Sequence, residues 1–292
     1  MILKTPDLQR FIGKLGYKTN MQKIEFIKMH GLGNDFVIID SRSKKISITD
    51  NIIKKLSDRR TGAGCDQLIT INNSKKNADV DIEIFNPGGD RAEACGNGTR
   101  CVAKILFDED EKKDSLKIHS DAGILRAKKE NENNISVNMG ILKNEWSDIP
   151  LIKEMNTMNI PILINGYSKG VGVNIGNPHI VFFGTSINKT NLKDIGPKIE
   201  NHDFFPNKIN VELVEIIDSK TIKMRVWERG VGITLACGSG ACAAAFASWK
   251  KGLTEDNVEV KLEKGSLQIN ILEGEAIMTG PAEISYHGSI EI

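Results

Sequence analysis

The chain has 292 residues, 40% of them apolar and 26% charged, with a formal net charge of +1. That length and apolar content supply a large core and exclude global disorder. Balanced charge and only 5% aromatic residues exclude a broad nucleic-acid or anionic-lipid surface and base-stacking platforms. Cys65, Cys95, Cys101, Cys237 and Cys242 are an odd set at no regular spacing. This is free-thiol usage, not a disulfide framework, and it predicts a cytoplasmic protein.

Residues 1–20 read as an N-terminal extension, expected to be disordered. Lys4, Asp7, Arg10, Lys14 and Lys18 interrupt any signal-peptide core. Leu8, Phe11, Ile12 and Leu15 would share one face if the segment formed a short amphipathic helix, and Met21 opens a more strand-like run. Helices are predicted over about 49–59, 97–107, 191–200 and 239–250. Alternating polarity predicts strands at Val80–Phe85, Thr221–Trp227, Asn257–Leu262 and Ser266–Ile271. Gly140 to Asn165, with Pro150 and Pro161, reads as an irregular link. Gly230 to Trp249 carries no charge, but glycines break its first half, so it is not a membrane span.

The chain repeats itself. Gly33-Asn34 before Phe36–Ile39 matches Gly176-Asn177 before Ile180–Phe183, 143 residues on. Ala94-Cys-Gly-Asn-Gly98 matches Ala236-Cys-Gly-Ser-Gly240 at 142, as do Phe85 with Trp227, Asn86 with Glu228 and Gly88 with Gly230. Two landmarks at nearly equal offsets indicate a duplicated half, hence two similar domains and not a solenoid.

Each Cys-Gly-x-Gly opens a helix. A helix N-terminus offers unpaired N–H groups and a dipole that favours negative charge. This predicts a lowered thiol pKa at Cys95 and Cys237 and a place to hold a substrate carboxylate. Symmetry brings the two cysteines to opposite sides of one cleft. There, one thiolate takes a proton from a carbon while the other thiol returns one to the opposite face. Such a pair holds one proton between its members. Cys101, Cys242 and Cys65 read as buried core thiols. The spacings are not those of zinc sites, so no metal is expected.

These residues carry a family resemblance. Met29-His-Gly-Leu-Gly-Asn-Asp-Phe36, Gly64-Cys-Asp-Gln-Leu68, Cys95-Gly-Asn-Gly-Thr-Arg-Cys101, Gly176-Asn-Pro-His179, Trp227-Glu-Arg-Gly230 and Ala236-Cys-Gly-Ser-Gly-Ala-Cys-Ala243 resemble the motifs of diaminopimelate epimerases, in order, over about 21–292. The resemblance implies a cofactor-independent isomerase of lysine biosynthesis that interconverts L,L- and meso-2,6-diaminopimelate. It implies a mixed α/β fold of two pseudo-symmetric domains, each a strand-rich half around a central helix, with the site in the cleft between them. Residues 21–138 plus 281–292 would form the N-terminal domain and 139–280 the C-terminal one.

Carried over residue by residue, the resemblance makes Cys95 and Cys237 the catalytic pair, tuned by His179 and Glu228. Asn34, Gln67, Asn86, Gly96, Asn97, Asn177, Asn210, Glu228, Arg229, Gly238 and Ser239 become substrate-binding, and Tyr286 a homodimer contact. The chemistry agrees, because diaminopimelate carries two carboxylates and two ammonium groups. Asn and Gln both donate and accept, Arg229 would grip a carboxylate, and Glu228 would pair with an ammonium. Nucleic-acid and membrane partners are not expected.

Three departures bear on loop geometry: Asn86-Pro-Gly-Gly-Asp-Arg91 in place of Asp-Gly-Ser-Glu, Ile233 where Glu is usual, and Cys65 before Asp-Gln. Alternatives are a two-cysteine racemase acting on proline or hydroxyproline, a thiol redox or metal-binding protein, and a non-catalytic amino-acid-binding relative.

Overall fold

The computed structural model describes residues 22–93 and 95–292. The helix face expected at Leu8–Leu15, and Met21, lie outside them. The described residues form four α-helices and a continuous 17-stranded sheet. The helices are α1 (Asp50–Ser57), α2 (Gly96–Glu109), α3 (Leu192–Glu200) and α4 (Gly238–Lys250). All four sit where the sequence predicts a helix, and all four predicted strands are present.

In the first half, Lys23–Gly31 turns into Asn34–Asp40 through Leu32 and Gly33, both at positive φ. Asn34–Asp40 runs parallel to Gln67–Asn73, which pairs antiparallel with Val80–Phe85. Val80–Phe85 is parallel to Ser115–Ser120, and Gly123–Lys129 and Asn134–Ile141 follow antiparallel. The second half repeats this course through Pro178–Phe183, Asn210–Asp218, Thr221–Glu228, Asn257–Leu262, Gly265–Leu272 and Glu275–Pro281. Register is reproduced as well as order. Phe36 faces Gln67 as His179 faces Asn210, and Val80 faces Ile118 as Ile222 faces Val260.

The two faces of these strands serve two layers, because successive side chains point to opposite sides. Phe36, Ile38, Ile69, Ile82 and Ile84 pack inward on α2, whereas Val37, Ile39 and Leu68 pack outward against Ile52, Ile53 and Leu56 of α1. In the second half the inner core surrounds α4, and α3 joins the outer core. Each fully buried Ile or Phe contributes about 1.5–3 kcal/mol. In α4, Ala241 to Ala247 are all buried, which explains the uncharged stretch as a core helix packed all round. No described helix is long and apolar enough to cross a membrane.

The halves join where Asn134–Ile141 pairs with Glu275–Pro281. The last strand, Glu283–Glu291, then returns to pair with Lys23–Gly31. In the reverse direction, Lys143 bridges to Asn174. The segment read as a link is irregular, but it is not a free tether. Ile149, Leu151, Ile160 and Ile162 are buried in the outer core of the second half.

Candidate active site

Cys95 and Cys237 are the N-cap residues of α2 and α4, both in extended conformation. The Gly98 N–H points at Cys95 Sγ at 3.5 Å, and the Gly240 N–H at Cys237 Sγ at 3.3 Å. A thiol thus takes the place of the usual Ser or Asp cap oxygen. The two helix starts meet at Met278. A Cβ on Gly96 would lie 2.5 Å from Met278 Cε; one on Gly238 would lie 3.0 Å from Met278 Sδ and 3.4 Å from Asn97 Oδ1. A Cβ at either glycine would crowd the Met278 side chain, which would have to shift to admit it.

Around Cys95, Asn34 is held at both ends. Asn97 Nδ2 donates to Asn34 Oδ1 at 3.1 Å, and Asn34 Nδ2 donates to Asp66 Oδ2 at 3.0 Å. Gln67 Nε2 donates to Asn86 Oδ1 at 3.0 Å, and Asn86 Nδ2 donates to Asp90 Oδ2 at 2.6 Å. Asp90 belongs to the departing loop, so that loop fixes the Asn86 amide by its own carboxylate.

Around Cys237, Asn177 spans Ser239 Oγ at 3.3 Å and His179 Nε2 at 2.9 Å. His179 Nδ1 faces Glu212 Oε1 at 2.7 Å, with both side chains fully buried. Glu228 accepts from the Thr234 hydroxyl, and its carboxylate acts on both Cys95 and Cys237. Asn210 Nδ2 donates to the Pro178 carbonyl, and its Oδ1 accepts from Arg229 N–H, both at 2.8 Å. Its amide therefore braces the start of the strand that carries His179 and the turn that carries Arg229. The exposed Arg229 guanidinium rests 3.3 Å from the Asn207 carbonyl. Tyr286 is apart from this group, on the outer strand, edge-on to Phe26.

The lowered thiol pKa expected from the helix dipole is overturned. Burial pushes the Cys95 thiol up to about 11 and Cys237 well above its ordinary value, and the Glu228 charge adds to the rise at both. The cap N–H bonds oppose this and lose, because desolvation outweighs a partial dipole charge at the half-buried Cys95 as at the buried Cys237. Burial likewise pushes Glu228 and Glu212 up, offset in part by the Thr234 and His179 contacts. Cys65, Cys101 and Cys242 are buried core thiols, as expected. Cys65 reaches Ser57 Oγ at 3.5 Å, and Ile233 pairs with Trp227 at the strand end. Among the described residues, no His, Cys, Asp and Glu group is arranged to hold a metal ion.

Sequence reasoning missed Glu212, Thr234, Asp66 and Glu200. Glu200 accepts from Trp227 Nε1 at 2.7 Å and from Gly230 N–H at 2.9 Å, fixing the turn that presents Glu228. Glu212 had a signal: the repeat sets it opposite Ile69, a charge where the first half has a core residue.

The family model described as Diaminopimelate epimerase matches residues 26–143 and 171–285. The Diaminopimelate epimerase of Pelagibacter ubique is 44% identical over 88% of this chain and 95% of its own length. That of Carboxydothermus hydrogenoformans is 43% identical over 91% and 98%. In fold, the chain is similar to a Bacillus anthracis phenazine biosynthesis protein of the PhzF family, with TM-score 0.68, 18% identity and coverage of 93% and 100%. It is also similar to a hydroxyproline epimerase from Agrobacterium vitis, with TM-score 0.65, 10% identity and 94% of each chain covered. At those identities the solved structures speak for the fold alone, whereas the family model and the near relatives span both halves and both cysteine caps: the chain belongs to the diaminopimelate epimerase family.

Proposed function

We propose that the chain interconverts L,L- and meso-2,6-diaminopimelate by proton transfer between its α-carbon and two thiols, without a cofactor. The observation that carries this reading is the pairing of two cysteine-capped helix starts around Met278, with Glu228 acting on both thiols. The substrate α-carboxylate sits on the N–H groups of Gly96-Asn97 and Gly238-Ser239, where two helix dipoles favour it. One cysteine, as thiolate, takes the α-proton. The electron pair left on carbon spreads into the carboxylate held by those donors. The opposite thiol gives its proton to the other face, and the thiol and thiolate have exchanged places.

Asn34, Gln67, Asn86, Asn177 and Asn210 present the amides, and Glu228 and Arg229 the charges, that suit a substrate with two ammonium and two carboxylate groups. His179 and Glu228 tune the thiols. The raised pKa of both thiols at rest fits this scheme, since a bound carboxylate and expelled water change the field in which they ionise. We read residues 21–138 plus 281–292 and residues 139–280 as the two domains. We also infer a cytoplasmic homodimer with Tyr286 and Ile284 on its contact face, both partly exposed on the last strand.

The test is α-proton exchange. Reduced protein is mixed with L,L-diaminopimelate in D₂O with EDTA present, and deuterium incorporation and isomer ratio are followed. Wild type should exchange and isomerise, and Cys95→Ala and Cys237→Ala should each stop isomerisation. Absence of exchange in wild type overturns the reading and directs the assay to proline and hydroxyproline.

A further inference from the structure

Arg100 is the largest fully buried side chain of the described residues. It lies in α2, and among the described residues no carboxylate pairs with it. Nη2 donates to Asn97 Oδ1 at 2.9 Å, Nε to the Pro281 carbonyl at 3.3 Å and Nη1 to Met278 Sδ at 3.4 Å. Glycines make room for it. A Cβ on Gly31 would stand 2.9 Å from Nη2, and one on Gly280 3.4 Å from Cζ. Enclosing a guanidinium without an anion is costly. The helix does not need a cation for packing, since the matching position of α4 is the apolar Cys242. Burial lowers the Arg100 pKa, yet a guanidinium starts so high that it stays charged.

Two consequences follow from its place. Arg has donors alone, so Asn97 must turn its oxygen to Arg100 and its NH₂ to Asn34. The charge also reaches the thiols unequally. Cys95 feels Arg100 in favour of its thiolate and Glu228 against it. Cys237 faces Glu228 and Glu212, and Glu212 faces its own histidine, His179, so no surplus positive charge stands there. Cys101 and Cys242 are the other titratable neighbours of the guanidinium.

We propose that Arg100 is a positioning residue that locks the Asn97–Asn34 amides and makes Cys95 the first of the two thiols to ionise, leaving the shared proton on Cys237. The proposal rests on the reading of Cys95 and Cys237 as one proton-sharing pair. The experiment is iodoacetamide alkylation of the reduced full-length protein over a pH series, with each cysteine followed by peptide mass spectrometry. The midpoint pH is compared and not the rate, because Cys237 is the more enclosed thiol. In wild type the Cys95 midpoint should lie below that of Cys237 by about one unit or more.

Arg100→Met should raise the Cys95 midpoint by about one unit and lower kcat about tenfold or more. Arg100→Lys should keep the midpoint and raise KM, because it keeps the charge and loses the fork to Asn97. Gly31→Ala, which displaces the guanidinium with every charge intact, decides the positioning effect if Arg100→Met fails to fold. It should raise KM and leave the midpoint in place. Equal wild-type midpoints, or Cys237 ionising first, overturn the proposal, as does an unmoved Cys95 midpoint in folded Arg100→Met. Alkylation needs no substrate, so these outcomes stand apart from failure of the diaminopimelate exchange assay.

Discussion

Under the two cysteine caps the same scaffold carries opposite chemistry. Beneath α2, a Cβ on Gly98 would meet Ile69 Cδ1 at 2.6 Å and Phe36 Cε1 at 3.3 Å. Beneath α4, a Cβ on Gly240 would meet Glu212 Oε1 at 2.8 Å, and Glu212 is paired with His179. Phe36 and His179 hold the same register against the next strand. The outer layer is reversed. The first half joins Lys28, Arg59, Asp35 and Asp66 in one ionic cluster, whereas the buried Gly172 and Ile209 stand at the positions of Lys28 and Asp66 in the second half. Duplication therefore fixes where two thiols stand and leaves each half free to set its own field. A reaction in which one thiol takes a proton while the other gives one has use for that inequality.

The largest expected effect comes from exchanging the contrast itself. Glu212→Gln keeps the shape but loses the carboxylate facing His179. It should lower kcat about a hundredfold. The matched change Ile69→Val should cost about 1 kcal/mol in stability and leave kcat within about twofold. Steady-state rates and thermal melts of both variants decide it, and equal losses of kcat would show that the polar pair is mere packing.

A smaller effect is expected from methyl groups placed at the helix starts. Gly98→Ala and Gly240→Ala should each cost about 1–3 kcal/mol through overpacking, reduced by up to about 1 kcal/mol from helix propensity. Gly98→Ala pushes on an isoleucine methyl, Gly240→Ala on a carboxylate set by a hydrogen bond. The second should therefore lose more kcat at a similar Tm, and the opposite order would break the comparison.

The smallest effect is a pH dependence confined to the first half. Burial would raise the Asp35 carboxyl, but hydrogen bonds from Arg59 and Lys28 outweigh it and hold it at about 2. A folded pKa below the unfolded value stabilises the fold above the unfolded pKa, and that contribution fades as pH falls through the folded pKa. Wild type should thus lose roughly 1 kcal/mol more than Asp35→Asn between about pH 5 and 2, a figure discounted for partial exposure. Parallel denaturant titrations with equal pH slopes would remove Asp35 from the account.

Much of this was written locally in the chain. Cys-Gly-x-Gly at the two caps is legible because a Cβ there would crowd Met278 where the two helix starts meet, and Gly33-Asn34 and Gly176-Asn177 mark turns of equal rank. The alternation of Val80–Phe85 and Thr221–Trp227 named the strands. Less legible were partners set by tertiary packing. His179 meets Glu212 across neighbouring strands, Asn34 meets Asp66 and Asn97 from separate elements, and Glu200 reaches the Trp227–Gly230 turn from α3. The thiol pKa was misread for the same reason. A dipole is a property of one helix, whereas desolvation belongs to everything packed around it.

The closing strand also sets an order of events. Of the described strands Lys23–Gly31 comes first in the chain, yet its partner Glu283–Glu291 comes last. The half that carries Cys95 therefore waits, with an open sheet edge, until Glu283–Glu291 has been synthesised, while the half that carries Cys237 closes with strands already at hand. Such long-range pairing slows folding and exposes an edge to other chains in the interval. Loss of Glu283–Glu291 would thus leave its damage not in the half made just before it but in the one made earlier.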